Sequence, residues 1–176
     1  KPPHPQEYAR ALKEEMEGLK CTLILEPGRV IVSNAGILIS QVLYTKRTQT
    51  KKFIIVDAAM NDMARPSLYD AHHDILPVTR KSGQATDETL EVADVVGPIC
   101  ETSDFLARDR QLPVLVMGDL VAVMTSGAYG FTMSSNYNSR PRAAEVLVKD
   151  DQFYVIRERE NYETLIRDEN IPDFLE

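Results

Sequence analysis

Several short segments, far apart along the chain, hold side chains whose types and spacing can do chemistry. Glu26-Pro27-Gly28-Arg29 follows an apolar run. Gly28 lets backbone N–H groups approach an anion closely, and the Arg29 guanidinium can fork onto a carboxylate or phosphate. Taken alone, so short a motif is more often a plain turn with a surface arginine. Residues 57–73 (DAAMNDMARPSLYDAHH) form a polar, irregular stretch of the kind that is often functional. In it Arg65, biased toward an extended backbone by Pro66, lies near Tyr69, and the two could clamp a carboxylate. In residues 97–104 (GPICETSD) Cys100 and Glu101 stand side by side. A neighbouring carboxylate raises a thiol's pKa, so the pair suits a neutral proton donor better than a nucleophile. A buried inert cysteine is the ordinary alternative. Tyr129, set in Gly127-Ala128-Tyr129-Gly130, has small neighbours that leave its ring edge and hydroxyl accessible.

Two other groupings read as structural. His72, His73, Asp74, Asp57 and Asp62 match no standard metal spacing, and adjacent histidines rarely converge on one ion, so no metal is expected. Arg140 and Arg142 stand alone in an acidic chain, within the polar residues 134–142.

The elements that position these groups follow from periodicity. Residues 6–18 read as a helix, with Tyr8, Leu12 and Leu19 on one apolar stripe, Pro5 before it and Gly18 as its stop. Cys21-Thr22-Leu23-Ile24-Leu25 is a continuous apolar run, the pattern of a strand covered on both faces in a parallel sheet. Helix, strand and turn make one α/β unit. Strand candidates then crowd together at 30–32, 38–44, 53–57, 75–80, 91–96, 115–117, 121–125, 144–149 and 152–157, with turns at 34–36, 81–83 and 150–151. That density predicts an antiparallel β-sandwich or Greek-key barrel, with a hairpin turning at 149–152. Residues 161–168 read as a short helix. The expected fold is mainly β with some α, the boundary falling within 30–36: residues 1–33 as the α/β unit and 34–176 as the β domain.

Composition removes several functions. The 176 residues carry 20 Lys and Arg against 27 Asp and Glu, a formal charge of −7. Nucleic acid is therefore not an expected partner. Cys21 and Cys100 cannot build a disulfide framework and fit a reducing compartment. No apolar run reaches the roughly 18 residues of a membrane span, so no membrane partner is expected. A cytoplasmic protein is the expectation, with an organellar transit peptide left open because the chain begins at Lys1.

Taken in order, EPGR at 26–29, AG at 35–36, residues 57–73, DVVGPICETSD at 94–104 and GAYGFTMSSNYNSRPRAAEV at 127–146 resemble the diaminopimelate decarboxylases. The resemblance implies an alanine racemase-like, fold-type III pyridoxal-phosphate enzyme: a (β/α)8 TIM barrel with a C-terminal β domain, acting as a homodimer. The family removes CO2 from meso-2,6-diaminopimelate to give L-lysine, in lysine biosynthesis. By the same resemblance Glu26, Gly28 and Arg29 surround the cofactor phosphate, and Arg29 also reaches substrate. Arg65 and Tyr69 grip the distal carboxylate of the substrate. Cys100 supplies a proton and Glu101 recognises the distal ammonium, both from the neighbouring subunit. Tyr129 borders cofactor and substrate. Glu after the Cys favours the diaminopimelate branch over the ornithine decarboxylases. Thr102-Ser103 stands where the family usually has Ser-Gly, and Ala59 where it often has Gly.

These residue types agree with the chemistry. Pyridoxal phosphate takes up the electron pair left when CO2 departs, and the protein holds the substrate and delivers a proton. A barrel needs about 250 residues, so this chain is expected to hold only its last helix-strand unit and to lack the Schiff-base lysine. On that reading the missing N-terminal barrel portion is a partner, and the chain alone is inactive. The competing readings are a non-catalytic regulatory or assembly homologue, a related ornithine- or arginine-type decarboxylase, and an unrelated β-barrel binding domain.

Overall fold

Strand β1 (Leu38–Arg47) is long enough to serve two neighbours in this computed structural model, which describes residues 3–79 and 90–175. Its first half pairs antiparallel with β6 (Leu120–Val123). Its second half pairs antiparallel with β2 (Lys52–Val56), and the register slips between Val42 and Tyr44. An extra residue of that kind bends a strand, and here it turns the sheet through a corner. β3 (Ile75–Pro77) runs antiparallel to β6, and β4 (Leu90–Val96) antiparallel to β5 (Phe105–Pro113). β2 and β4 are parallel, a departure from the purely antiparallel expectation. The sheet order is β3-β6-β1-β2-β4-β5, and its edge strands β3 and β5 touch, so the sheet is a nearly closed barrel.

The interior is filled by side chains from alternate strand positions. Val42, Ile54, Val56, Val95, Leu106, Val121 and Val123 are buried in one cluster with Met63. Full burial of such a side chain contributes about 1.5–3 kcal/mol. The hairpin β7 (Glu145–Lys149) and β8 (Gln152–Arg157) forms its own small sheet, and Asp150 in its turn takes a left-handed φ of 55°. Helix α1 (Pro5–Glu15) is capped by His4 and Glu7, and α3 (Tyr162–Ile166) by Asn161.

Several expectations change. Cys21 to Leu25 forms no strand, and all five side chains are exposed. A buried parallel strand needs a neighbour on each side, and the described residues place none beside it. Residues 30–32 lead into a single 3-10 turn at Ser33–Ala35 rather than forming a strand. Residues 115–117 make a turn closed by Val116 N–H donating to Asp119 at 2.9 Å. The supposed loop 57–73 contains helix α2 (Arg65–Tyr69). Arg65 is thus helical, because Pro66 sits in the first turn, where its missing N–H is not needed. Arg80 and the turn at 81–83 lie outside the described residues.

Candidate active site

The three segments carrying Arg29, His73 and Tyr129 are stitched together by backbone. Ser126 N–H donates to Gly36 O at 2.8 Å, Gly127 N–H to Ser33 O at 3.0 Å, and Met124 N–H to Asp74 O at 2.8 Å. The approach is so close that a Cβ on Gly127 would overlap the Val32 carbonyl oxygen. This contact explains a glycine at 127 better than freedom of backbone angle does.

Arg65, Tyr69 and Tyr129 meet at one place. The Arg65 guanidinium carbon lies 5.8 Å from the Tyr69 ring centre and 5.6 Å from that of Tyr129. Two aromatic faces attract and orient a cation of this kind. Tyr129 itself takes a left-handed φ of 60°. The Nε of Arg65 is buried and has no hydrogen-bond partner among the described residues. A buried guanidinium N–H without an acceptor is costly unless an acceptor arrives with a ligand.

His73 stands behind this cluster. Its ring is buried, and Nδ1 lies 2.9 Å from the Met124 carbonyl oxygen. A carbonyl can only accept, so Nδ1 carries the proton. Burial lowers the His73 pKa, with Arg65 and Arg29 acting in the same sense and the Met124 contact opposing them. The imidazole is therefore neutral at ordinary pH, and Nε2 is a bare acceptor without a partner among the described residues. His72 lies apart from it, beside Asp74 and Arg110.

Glu26, Gly28 and Arg29 lie in an exposed turn. The Arg29 side chain makes no hydrogen bond or ion pair among the described residues, and it borders an open cleft of about 910 Å³ together with His4, Ser33 and Thr125. An unpaired guanidinium beside Gly28, around which space is open, fits the phosphate end of a phosphorylated cofactor. Lys51 and Lys52 are engaged elsewhere, with Asp94 and Asp109 and with Glu91.

Cys100 and Glu101 occupy a second place, the loop between β4 and β5, and both are exposed. The loop is held from beneath by Asp104, a buried residue that the sequence reading quoted but gave no role. Its carboxylate accepts from Ile99 N–H and from Met60 N–H, each at 2.7 Å. Burial raises the Asp104 pKa against the pull of those two donors. No residue of 97–104 has a positive φ, so the backbone at Ser103 does not call for Gly. The Ser67 hydroxyl donates to Ser103 O at 2.5 Å, which ties this loop to α2. Tyr137, also unassigned from sequence, donates its hydroxyl to Glu101 Oε2 at 3.1 Å.

Arg140 and Arg142 are structural. Arg140 donates to Asn61 Oδ1 at 2.9 Å and to Asp57 O at 2.6 Å, and Arg142 clasps Glu160.

Comparison with known proteins agrees with the fold. The family model of the pyridoxal-dependent decarboxylase C-terminal sheet domain matches residues 29–127. The diaminopimelate decarboxylase of Aquifex aeolicus is 54% identical over 166 residues, covering 94% of this chain and 38% of that protein. A crystal structure of diaminopimelate decarboxylase from M. jannaschii superposes with a TM-score of 0.90 at 39% identity, over 98% of this chain and 40% of that one. The Helicobacter pylori enzyme complexed with L-lysine gives 0.81 at 46% identity, over 92% and 38%. The chain thus spans 38% to 40% of the length of these relatives. With its nearly closed sheet and the match across residues 29–127, the chain belongs to the family of pyridoxal-dependent decarboxylase C-terminal sheet domains.

Proposed function

We propose that this chain is the C-terminal part of a cytoplasmic enzyme that decarboxylates meso-2,6-diaminopimelate to L-lysine and CO2, with active sites shared across a homodimer. Residues 1–33 would complete a barrel and residues 34–176 form the β domain. The observation that carries the reading is the buried, unpartnered Nε of Arg65 between Tyr69 and Tyr129. It is a fixed cationic donor awaiting an anion, as one end of a diacid requires.

Pyridoxal phosphate, when bound, supplies a sink for the electron pair left when CO2 departs. The chain's own residues do the rest. Arg29, with Gly28 and Glu26, lies at the phosphate end, and Tyr129 borders cofactor and substrate. Arg65 and Tyr69 hold the distal carboxylate, Arg29 reaches the substrate beside them, and Glu101 receives the distal ammonium. A site built of charged partners rejects analogues that leave them unpaired, which tells the two ends of the diacid apart. The Cys100 thiol delivers a proton to the α-carbon. Cys100 and Glu101 serve the partner's Arg65 cluster.

The test is the complete enzyme, assayed for L-lysine and CO2 from meso-diaminopimelate. Arg65→Lys keeps the charge and loses the fork, so KM should rise about tenfold to a hundredfold. An unchanged KM removes Arg65 from the substrate site.

A further inference from the structure

Residues 134–142 take no part in that assignment, yet their backbone is held in a costly form. Asn138 and Ser139 both have left-handed backbones, with φ of 60° and 52°. Such conformations persist in non-glycine residues only where the surroundings over-determine them. Here the surroundings do so. The Asn136 side-chain amide donates to Arg140 O at 3.0 Å and to Glu160 Oε2 at 2.6 Å. Ser135 N–H donates to Asn61 O at 2.9 Å, and Asn61 donates back to Ser135 O at 3.2 Å. Arg140 fastens the same frame to Asn61 and to the end of β2.

Tyr137 projects from this frame. The residue is 46% exposed, so the frame is not built to bury it. What the frame fixes is the hydroxyl, which donates to Oε2 of Glu101, while Oε1 has no hydrogen-bond partner among the described residues. The bond narrows the rotamers of a side chain otherwise free to swing. In return Glu101 raises the Tyr137 pKa, keeping the phenol a donor through the neutral range.

We propose that Tyr137 is the positioning residue of Glu101, aiming its carboxylate at a cationic group on the far end of the substrate. The assignment rests on the proposed role of Glu101. It also gives the polar loop 134–142 a purpose, since a firm strut is needed to orient an exposed carboxylate.

The test compares the complete enzyme with its Tyr137→Phe, Glu101→Gln and doubly substituted forms. Tyr137→Phe should raise KM for meso-diaminopimelate about tenfold, the worth of a hydrogen bond to a charged group, with kcat within about twofold. In the Glu101→Gln background the same change should add nothing. A substrate-free measurement accompanies these. NMR titration of the tyrosine ring carbons should show one phenol titrating above the others, absent in Tyr137→Phe and returned toward the rest in Glu101→Gln. An unchanged KM, additive effects, or equal loss of kcat and KM in both backgrounds overturns the proposal. Absence of a high-titrating phenol linked to Glu101 overturns it whatever the substrate. Failure on meso-diaminopimelate, with coupling and titration intact on another diamino acid, refutes the substrate and supports the positioning role.

Discussion

Cys100 and Glu101 are adjacent in sequence, exposed, and borne on one tightly tied loop. As the proposed proton donor, Cys100 would act on a step rather than on binding. Cys100→Ala should therefore lower kcat by about 10²–10⁴ and leave KM within a few fold. Steady-state kinetics checks this, and equal turnover would remove the acid role. Glu160 offers a residue-scale test of stability. The side-chain hydrogen bond from Arg142, with its backbone N–H and charge and the Asn136 amide, holds the Glu160 carboxyl down to about 2 from its ordinary 4.5. A depressed pKa contributes stability that is present above 4.5 and lost as pH falls through about 2. Thermal unfolding from pH 7 to pH 2 should show Glu160→Gln less stable at neutral pH, with the gap to wild type closing in acid. The half-buried Asp62 and the buried Asp104 act in the opposite sense. Their raised pKa values give stability that is full below 3.8 and fades as pH rises through the folded value. At this scale the residue types were legible: Arg65, Tyr69 and Tyr129 stand out by chemistry, and the structure gathers them. Tyr137 and Asp104 were not, because each acts on a partner 36 or 44 positions away, Glu101 or Met60.

Loops and strands show where periodicity fails. β5 escapes detection because Arg108-Asp109-Arg110 interrupts its apolar pattern. The interruption is a bulge: Asp109 has a φ of 47°, its N–H donates to Asp94 at 2.7 Å, and the register with β4 shifts there. The apolar run 21–25 misleads in the other direction, since hydrophobicity gives a strand only when neighbours supply a ladder. The hairpin β7–β8 was legible to the residue at its turn, because it depends on local sequence alone. The loop of Cys100 depends instead on one buried carboxylate. Asp104→Ala would strand the N–H groups of Ile99 and Met60, costing about 1–3 kcal/mol for each. Asp104→Asn keeps a single acceptor oxygen and should recover about half of that. Urea denaturation midpoints of the two variants check the order. Equal stability of Asp104→Ala and wild type would show that water replaces the carboxylate.

Across the molecule, many apolar side chains are exposed, and two stretches of chain carry several in succession. Leu23, Ile24, Leu25, Val30 and Ile31 form one, and Phe153 and Ile156 with their hairpin neighbours form the other. Patches of this kind mark contact surfaces, in keeping with the proposed barrel and dimer. The proposed sharing of active sites across a homodimer predicts complementation. Mixing complete subunits carrying Cys100→Ala with subunits lacking the pyridoxal-phosphate lysine should restore activity at one site per heterodimer. No recovery would place Cys100 in its own subunit's site. The parallel pairing of β2 with β4 carries a further consequence. Parallel neighbours start from the same end of a sheet, so the chain leaving β2 must travel back before β4 begins. Arg65 and Tyr69 ride on that return path, and their place is defined only once both strands have zipped. An anion held at Arg65 is thereby coupled to the closing of this long-range seam. Substrate would act as a staple across it, delaying global unfolding while leaving the fraying of the distant hairpin untouched.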